Sequence, residues 1–539
     1  MTITGHGGEL ALAALTPFGV RELFTLSGGH VFPLYDAAVK QEVRIVDVRH
    51  EQTATFAAEG TAKLTRRPGV AVLTAGPGVT NGISAVTTAH FNGSPLVVLG
   101  GRAPQARWGA GSLQEFDHVP VLAPITKKAM TITDPNTIVE EIVGLAELAD
   151  APHRGPVFAD FPLDVIFADG ASPMPTGRIV HVHDEVDADE LDRVGALIAA
   201  ADRPALIAGS DVYWAGAWEE LREAVERLRV PTFVNGLGRG CLAADHELAF
   251  SRTRGLLKTE ADLVIVVGTP LDFRLSFGRF GDAQVVHVVD DPSLRAAHVD
   301  AAASIAGNIQ AVLRHWAVGN WPTTDHEPWV QRLRDLESKA AADEAPGLEA
   351  DSSPIEPSRI YGEVRQRLDR DAVVVNDGGD FVSYSGKYID SYEPGCWLDP
   401  GPYGCLGTGM GYAIAARIAR PDKQVVVMMG DGAAGFSLMD ADTLVRHNLP
   451  VVIVVGNNGI WGLEKHPMQA IYGYDVAAEL TPGTRYDEVV EALGGAGEMV
   501  SQPEDIGPAL DRAFASDVPY LVNVLTDPKD IYPRQSNLG

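Results

Sequence analysis

"MMGDGAAGFSLMDADTLVRHNLPVVIVVGNN", residues 428–458, sets one acidic residue and one amide just past the ends of two apolar runs. The first run, 425–429, ends at Gly430-Asp431-Gly432, and the second, 451–455, leads into Asn457-Asn458. Short runs rich in β-branched residues are the pattern of strands buried on both faces of a parallel sheet. Between them Ser437 and Asp440 read as a capping-box-like helix start. Leu438, Ala441, Leu444 and Val445 follow at helical spacing, and Pro450 closes the stretch. The whole predicts strand–helix–strand. A right-handed crossover puts both strand ends on one edge of the sheet. Asp431 and Asn458 are therefore expected to converge where open α/β sheets bind ligands.

The same alternation extends outward in both directions. Residues 1–170 contain VRIVDV, GVAVLT, PLVVLG and GPVFADFPLDV, and residues 185–320 contain PALIAG, PTFVNG, DLVIVVG and QVVHVVD. A polar, acidic linker with no strand signal, 321–356, leads to a third block, 357–539, with AVVVND, QVVVMMGDG and YLVNVL. At 539 residues the chain exceeds one core. The expected fold class is α/β, with three doubly wound, mostly parallel-sheet domains.

Bulk composition narrows the function. A net charge of −29 argues against a nucleic-acid backbone or an anionic membrane surface as partner, and a small-molecule substrate is expected. Cys241, Cys396 and Cys405 are few, odd in number and lack metal-site spacing, which points to a reducing compartment. No apolar run approaches the ~18 residues of a membrane span, so a cytoplasmic location is expected.

At the strand ends, the Asp431 carboxylate and the Asn458 side-chain carbonyl are hard oxygen donors suited to Mg²⁺, with a main-chain carbonyl at Ile460 as a third. Gly430 and Gly432 let the backbone turn sharply beside an anion, and the N–H groups that follow, including that of Ala433, face its phosphates. A tight turn whose Asp caps a helix is the competing account. The arrival of Asn-Asn at the matching strand end favours the metal site.

This GDG…NN stretch resembles the signature of thiamine-diphosphate enzymes. The rest of the chain is similar to the group containing acetolactate synthase, 2-hydroxyacyl-CoA lyase and oxalyl-CoA decarboxylase. The resemblance implies thiamine diphosphate and Mg²⁺ as cofactors. It also implies a pyrimidine-binding domain (1–170), a central domain of nucleotide-, CoA- or FAD-binding type (185–320), and a diphosphate-binding domain (357–539) with a C-terminal lid. In the family the cofactor lies between the first domain of one subunit and the third of another, which makes a homodimer the minimum and a homotetramer the expected assembly.

The resemblance also carries residue roles. The Glu of RHEQ, Glu51, would hydrogen-bond the aminopyrimidine and favour the tautomer that deprotonates the thiazolium. By itself it reads as a helix-start acid complementing the dipole. In TAGPGVTN (74–81), Gly76, Pro77, Gly78 and Asn81 would approach the pyrimidine. Leu406, in GPYGCLGTGMGYAIAA, aligns with the residue that props the cofactor in its bent shape. Gly378, Gly379 and Asp380 of VVVNDGGD would line the diphosphate site. Gln114, in GSLQEFDH, aligns with a Gln near the cofactor. His30 replaces the Ala of a PGGA-like loop and is a candidate substrate contact or proton relay.

On substrate, LTPGTRYDEVVEALGGAG and the ending YPRQSNLG are similar to the lyase branch. The first expectation is therefore a 2-hydroxyacyl-CoA lyase-like enzyme, cleaving its substrate reversibly to formyl-CoA and an aldehyde or ketone. The alternative is an acetolactate synthase-like carboligase acting on pyruvate and other 2-oxo acids. A further alternative is an FAD-dependent, pyruvate-oxidase-like enzyme. A non-catalytic homologue fits poorly with intact Glu51, Asp431 and Asn458. Arg252, Arg254, Lys258 and Arg274 form a basic concentration that could hold CoA or ADP phosphates. Trp461 stands where the lyases carry Tyr, and Arg534, Ser536 and Asn537 belong to the expected lid.

Overall fold

The computed structural model describes residues 2–175, 186–321 and 324–532. Each expected domain is built on a six-stranded sheet. In the first, the order is Arg44–Asp47, Glu22–Thr25, Gly69–Leu73, Leu96–Arg102, Pro156–Pro162, Lys128–Thr131, every pair parallel. A small antiparallel pair, Thr2–His6 with Asp169–Pro173, ties the start of this domain to its end. The central sheet runs Ala249–Phe250, Thr232–Val234, Pro204–Ala208, Leu263–Val267, Gln284–Val289, Ala303–Ala306, again all parallel. Its chain order, third-second-first-fourth-fifth-sixth, is that of a doubly wound nucleotide-binding fold.

The third sheet runs Trp397–Leu398, Val373–Asp377, Val425–Gly430, Val452–Asn457, Tyr520–Leu525, Ala496–Val500. Gly430 pairs with Gly456 in parallel register, so Asp431 and Asn458 both leave the sheet at its C-terminal edge. The α/β expectation is met in all three domains. The chain resolves into two compact units: one holds the first domain with 375–382 and 399–539 of the third, and the other holds the central domain with 357–374 and 383–398. Among the described residues, no helix is long and apolar enough to cross a membrane.

One local expectation changes. The helix after the GDG turn begins at once, as Asp431–Ser437, and breaks through a tight turn, Leu438–Asp440, into Ala441–Arg446. Ser437 makes no cap. The physical reason is that the Asp440 carboxylate is engaged elsewhere, accepting the Arg49 N–H at 2.7 Å and the Thr443 hydroxyl at 2.8 Å. The polar linker, in turn, contains a 22-residue helix, Glu327–Leu348.

The first and third domains meet through the helices Glu51–Thr65 and Thr408–Ala419. Small residues permit the approach: a Cβ on Gly60 would lie 2.9 Å from Ala415 Cβ, and one on Gly411 2.6 Å from Phe56 Cβ. Beside this contact, Glu59 and Lys63 are paired at 3.0 Å with 0% and 2% side-chain exposure. The Tyr412 hydroxyl donates to Glu59 at 2.7 Å and accepts from Lys63 at 2.8 Å. Asn92 and Ser94 complete the carboxylate's donors.

Candidate active site

One cleft, partly open to solvent, gathers the strand-end residues of the third domain. Gly378, Gly379 and Asp380 enter from the first strand end, residues 430–433 from the second, and Asn458, Ile460 and Trp461 from the third. The whole expected metal and diphosphate set thus lines a single cavity. Its walls need glycine: Gly378 has φ +94° and a Cβ there would sit 3.0 Å from Ala433 Cβ. On Gly432 a Cβ would meet the Trp461 ring at 2.5 Å, so Trp461 closes directly over the GDG turn.

Asp431 is 3% exposed, and its carboxylate accepts the N–H of Gly432 at 2.9 Å and of Gly459 at 2.7 Å. Burial pushes it up to about 6 despite those bonds. A divalent cation held here would restore the ionised form. Asn458 Oδ1 accepts the Ile460 N–H at 3.2 Å, orienting the amide oxygen within the same cleft. This donor set of carboxylate, amide oxygen and main-chain carbonyl suits Mg²⁺ with phosphate oxygens and water completing the shell.

In the first domain, Glu51 is the first residue of its helix and is buried. Its Oε2 accepts from Asn81 Nδ2 at 3.0 Å. A Cβ on Gly78 would lie 3.7 Å from its Oε1 and 2.6 Å from Thr74 Cγ2, so the turn passes close beside the carboxylate. Pro77 stands exposed at the tip of that turn. Gly76, at φ +60°, has no space for a side chain because Gln114 Cβ would be 3.0 Å away. Gln52 Nε2 donates to the Leu406 carbonyl at 3.1 Å, drawing the Leu406 turn of the third domain to the Glu51 end of the helix. Glu51, Gly76, Gly78, Asn81, Gln114 and Leu406 are therefore linked by a chain of contacts. His30 is buried beside Thr74, with Nδ1 3.4 Å from the Thr74 hydroxyl. Burial moves its pKa down, a hydrogen bond to the Leu113 main chain opposing that shift.

Two groups with no assigned role in the sequence reading stand behind this site. Asp377, fully buried at the end of its strand, accepts from the N–H of Gly407 at 3.1 Å and of Gly409 at 2.8 Å, holding the Leu406 turn; burial pushes it up to about 7. An acid at a strand end was the signal available for it. His118 accepts the Gly76 N–H at 2.9 Å, and no local pattern in the sequence announces it.

The basic quartet lies in the central domain and is largely engaged. Arg252 pairs with Glu344 at 2.8 Å and Glu337 at 3.5 Å, and Arg274 pairs with Asp272 at 2.7 Å. Arg254 donates to the Arg274 carbonyl at 2.6 Å, while Lys258 is exposed. The expected lid residues Arg534, Ser536 and Asn537 lie outside the described residues.

Comparison with known proteins covers the same three blocks. Family models described as "Thiamine pyrophosphate enzyme, N-terminal TPP binding domain", "central domain" and "C-terminal TPP binding domain" match residues 5–121, 191–316 and 377–524. A "Probable acetolactate synthase" of Mycobacterium bovis is 51% identical over 540 residues, covering 99% of this chain and 98% of its own. The "Acetolactate synthase large subunit IlvG" of Mycobacterium tuberculosis matches to the same extent. The "2-hydroxyacyl-CoA lyase 2" of Caenorhabditis elegans is 33% identical over 579 residues, covering 97% of this chain and 90% of its own.

Proposed function

The chain belongs to the thiamine pyrophosphate enzymes, and from that premise we propose that it is an acetolactate synthase-like carboligase joining 2-oxo acids such as pyruvate. The observation that carries this reading is 51% identity across 99% of the chain to a protein named acetolactate synthase. It reverses the order that the lyase-like LTPGTRYD stretch and C-terminal tail suggested. The commitment of Arg252 and Arg274 to carboxylates also weakens the case for a CoA diphosphate anchor in the central domain.

When bound, thiamine diphosphate supplies the electron sink that lets a 2-oxo acid lose carbon dioxide. Asp431, Asn458 and the Ile460 carbonyl would hold Mg²⁺. The glycine-walled cleft at Gly378, Gly379, Gly430 and Gly432, with Asp380 and Ala433 beside it, would take the diphosphate. Glu51, held by the Asn81 amide, would hydrogen-bond the pyrimidine ring. Leu406 would support the cofactor, and Gln114 and His30 would contact its reacting end or the substrate. The homodimer is the minimum assembly on this reading.

The second reading, a 2-hydroxyacyl-CoA lyase, is favoured by relatives of that name matching over nearly the whole chain. Side-by-side assays decide. Acetolactate from pyruvate, outpacing formyl-CoA from a 2-hydroxyacyl-CoA, is the expected result, and the reverse overturns the proposal. Flavin absorbance in the purified protein would add a role for FAD in the central domain.

A further inference from the structure

His118 is fully buried and is bonded through both ring nitrogens. Nε2 lies 2.9 Å from the Gly76 nitrogen, and Nδ1 lies 2.8 Å from Asp160 Oδ2. A main-chain N–H can only donate, so Nε2 must carry its lone pair and the ring proton must sit on Nδ1, directed at the carboxylate. Asp160 is itself fully buried, and the same Oδ2 accepts from Arg102 at 3.0 Å. Arg102 in turn stacks on the Trp108 ring at 3.8 Å. Trp108 and His118 lie on one loop, which Glu115 braces internally by accepting from Gly109 and Ser112.

This chain of contacts ends on Gly76, whose φ of +60° places it where side chains are rarely accommodated. The backbone there is held from behind by an imidazole rather than by sheet partners. Two residues on, the turn passes beside Glu51, and at Asn81 it supplies that carboxylate's hydrogen bond. The loop carrying His118 also carries Gln114, packed against Gly76. His30 makes a parallel connection, from Thr74 of the turn to Leu113 of the loop.

We propose that His118, oriented by Asp160 and Arg102, is a positioning residue that locks the turn 74–81 and the Gln114 loop into one register around the Glu51 carboxylate. It acts through Gly76 and Asn81 and touches neither substrate nor cofactor. The inference rests on the reading of Glu51 as the cofactor-activating acid, and its test separates the two.

The first readout needs no cofactor. In His118→Leu the Gly76 amide loses its acceptor, and hydrogen exchange in a peptide spanning 74–81 should rise about tenfold in the cofactor-free protein. His118→Gln, whose amide can both accept and donate, should restore most of the protection. With thiamine diphosphate and Mg²⁺ added, His118→Leu should slow deuterium exchange at the cofactor C2 about ten- to a hundred-fold, with KM for pyruvate little changed. Wild-type amide protection and C2 exchange in His118→Leu overturn the proposal. If His118→Leu does not fold, Asp160→Asn, which keeps the shape and alters the carboxylate, must reproduce the loss of protection, and failure to do so is equally decisive. Glu51→Gln is the separate control: normal C2 exchange in that variant removes the Glu51 reading, while the amide readout still judges whether His118 holds the turn.

Discussion

Removing the charge of Lys63 tests the joint between the first and third domains. Lys63→Met keeps the aliphatic stem but leaves the Glu59 carboxylate, at 0% exposure, without its cation. Solvent cannot screen the loss at that depth. Breaking a buried pair by deleting one partner costs about 3–5 kcal/mol. Three neutral donors remain on Glu59, at 2.9 Å from Asn92, 3.1 Å from Ser94 and 2.7 Å from Tyr412, so the lower end, about 3 kcal/mol, is expected. Glu59→Gln should cost a similar amount by stranding Lys63. The double variant should lose much less than the sum, because a neutral pair has no charge to strand. The assay is urea unfolding followed by a probe on this unit, with all four proteins under one buffer. Single losses below about 1 kcal/mol that simply add would refute the argument, since exposed pairs behave that way.

Further outcomes follow from individual side chains. Gly411→Ala introduces a Cβ 2.6 Å from Phe56 Cβ and 3.0 Å from the Thr53 carbonyl, and the clash should outweigh the better helix propensity, lowering stability by about 1–3 kcal/mol; a raised thermal midpoint would contradict this. Asp377, pushed up to about 7 by burial, keeps in the folded state a proton that the unfolded chain releases near pH 4. Its contribution to stability is therefore fully present below about pH 4 and is lost as pH rises through about 7. Asp377→Asn should flatten that decline in thermal midpoints measured from pH 5 to 8, and identical slopes would count against the assignment. Asp431→Ala should abolish Mg²⁺-dependent thiamine diphosphate uptake in calorimetry while leaving the far-ultraviolet spectrum intact; undiminished uptake would move the metal site elsewhere.

What could be read from the chain alone divides by the range of the contacts involved. The strand ends at Gly430 and Asn457 were legible because a strand buried on both faces must be continuously apolar, and its first polar residue marks the sheet edge. The helix between them was misplaced because Ser437 and Asp440 carry cap-like chemistry locally, while the Asp440 partner, Arg49, is 391 residues away. The basic quartet looked like an anion site for the same reason: Glu337 and Glu344 follow Arg252 by 85 and 92 residues. His118 was invisible, because Gly76 and Asp160 each lie 42 residues from it, on opposite sides. Patterning reveals elements and their edges; the long-range partners that hold a site in place emerge only when the sheet is closed.

The close contact at Gly60 makes the helix Glu51–Thr65 a lever. Gly60 is the fulcrum against Ala415, and Glu51 is the tip, about 13 Å away at 1.5 Å per residue. A tilt of only about 4° there would swing the carboxyl by about 1 Å, a displacement that can cost a reaction about a hundredfold. A substitution at the fulcrum, remote from every reacting atom, should therefore register as lost turnover before it registers as lost fold.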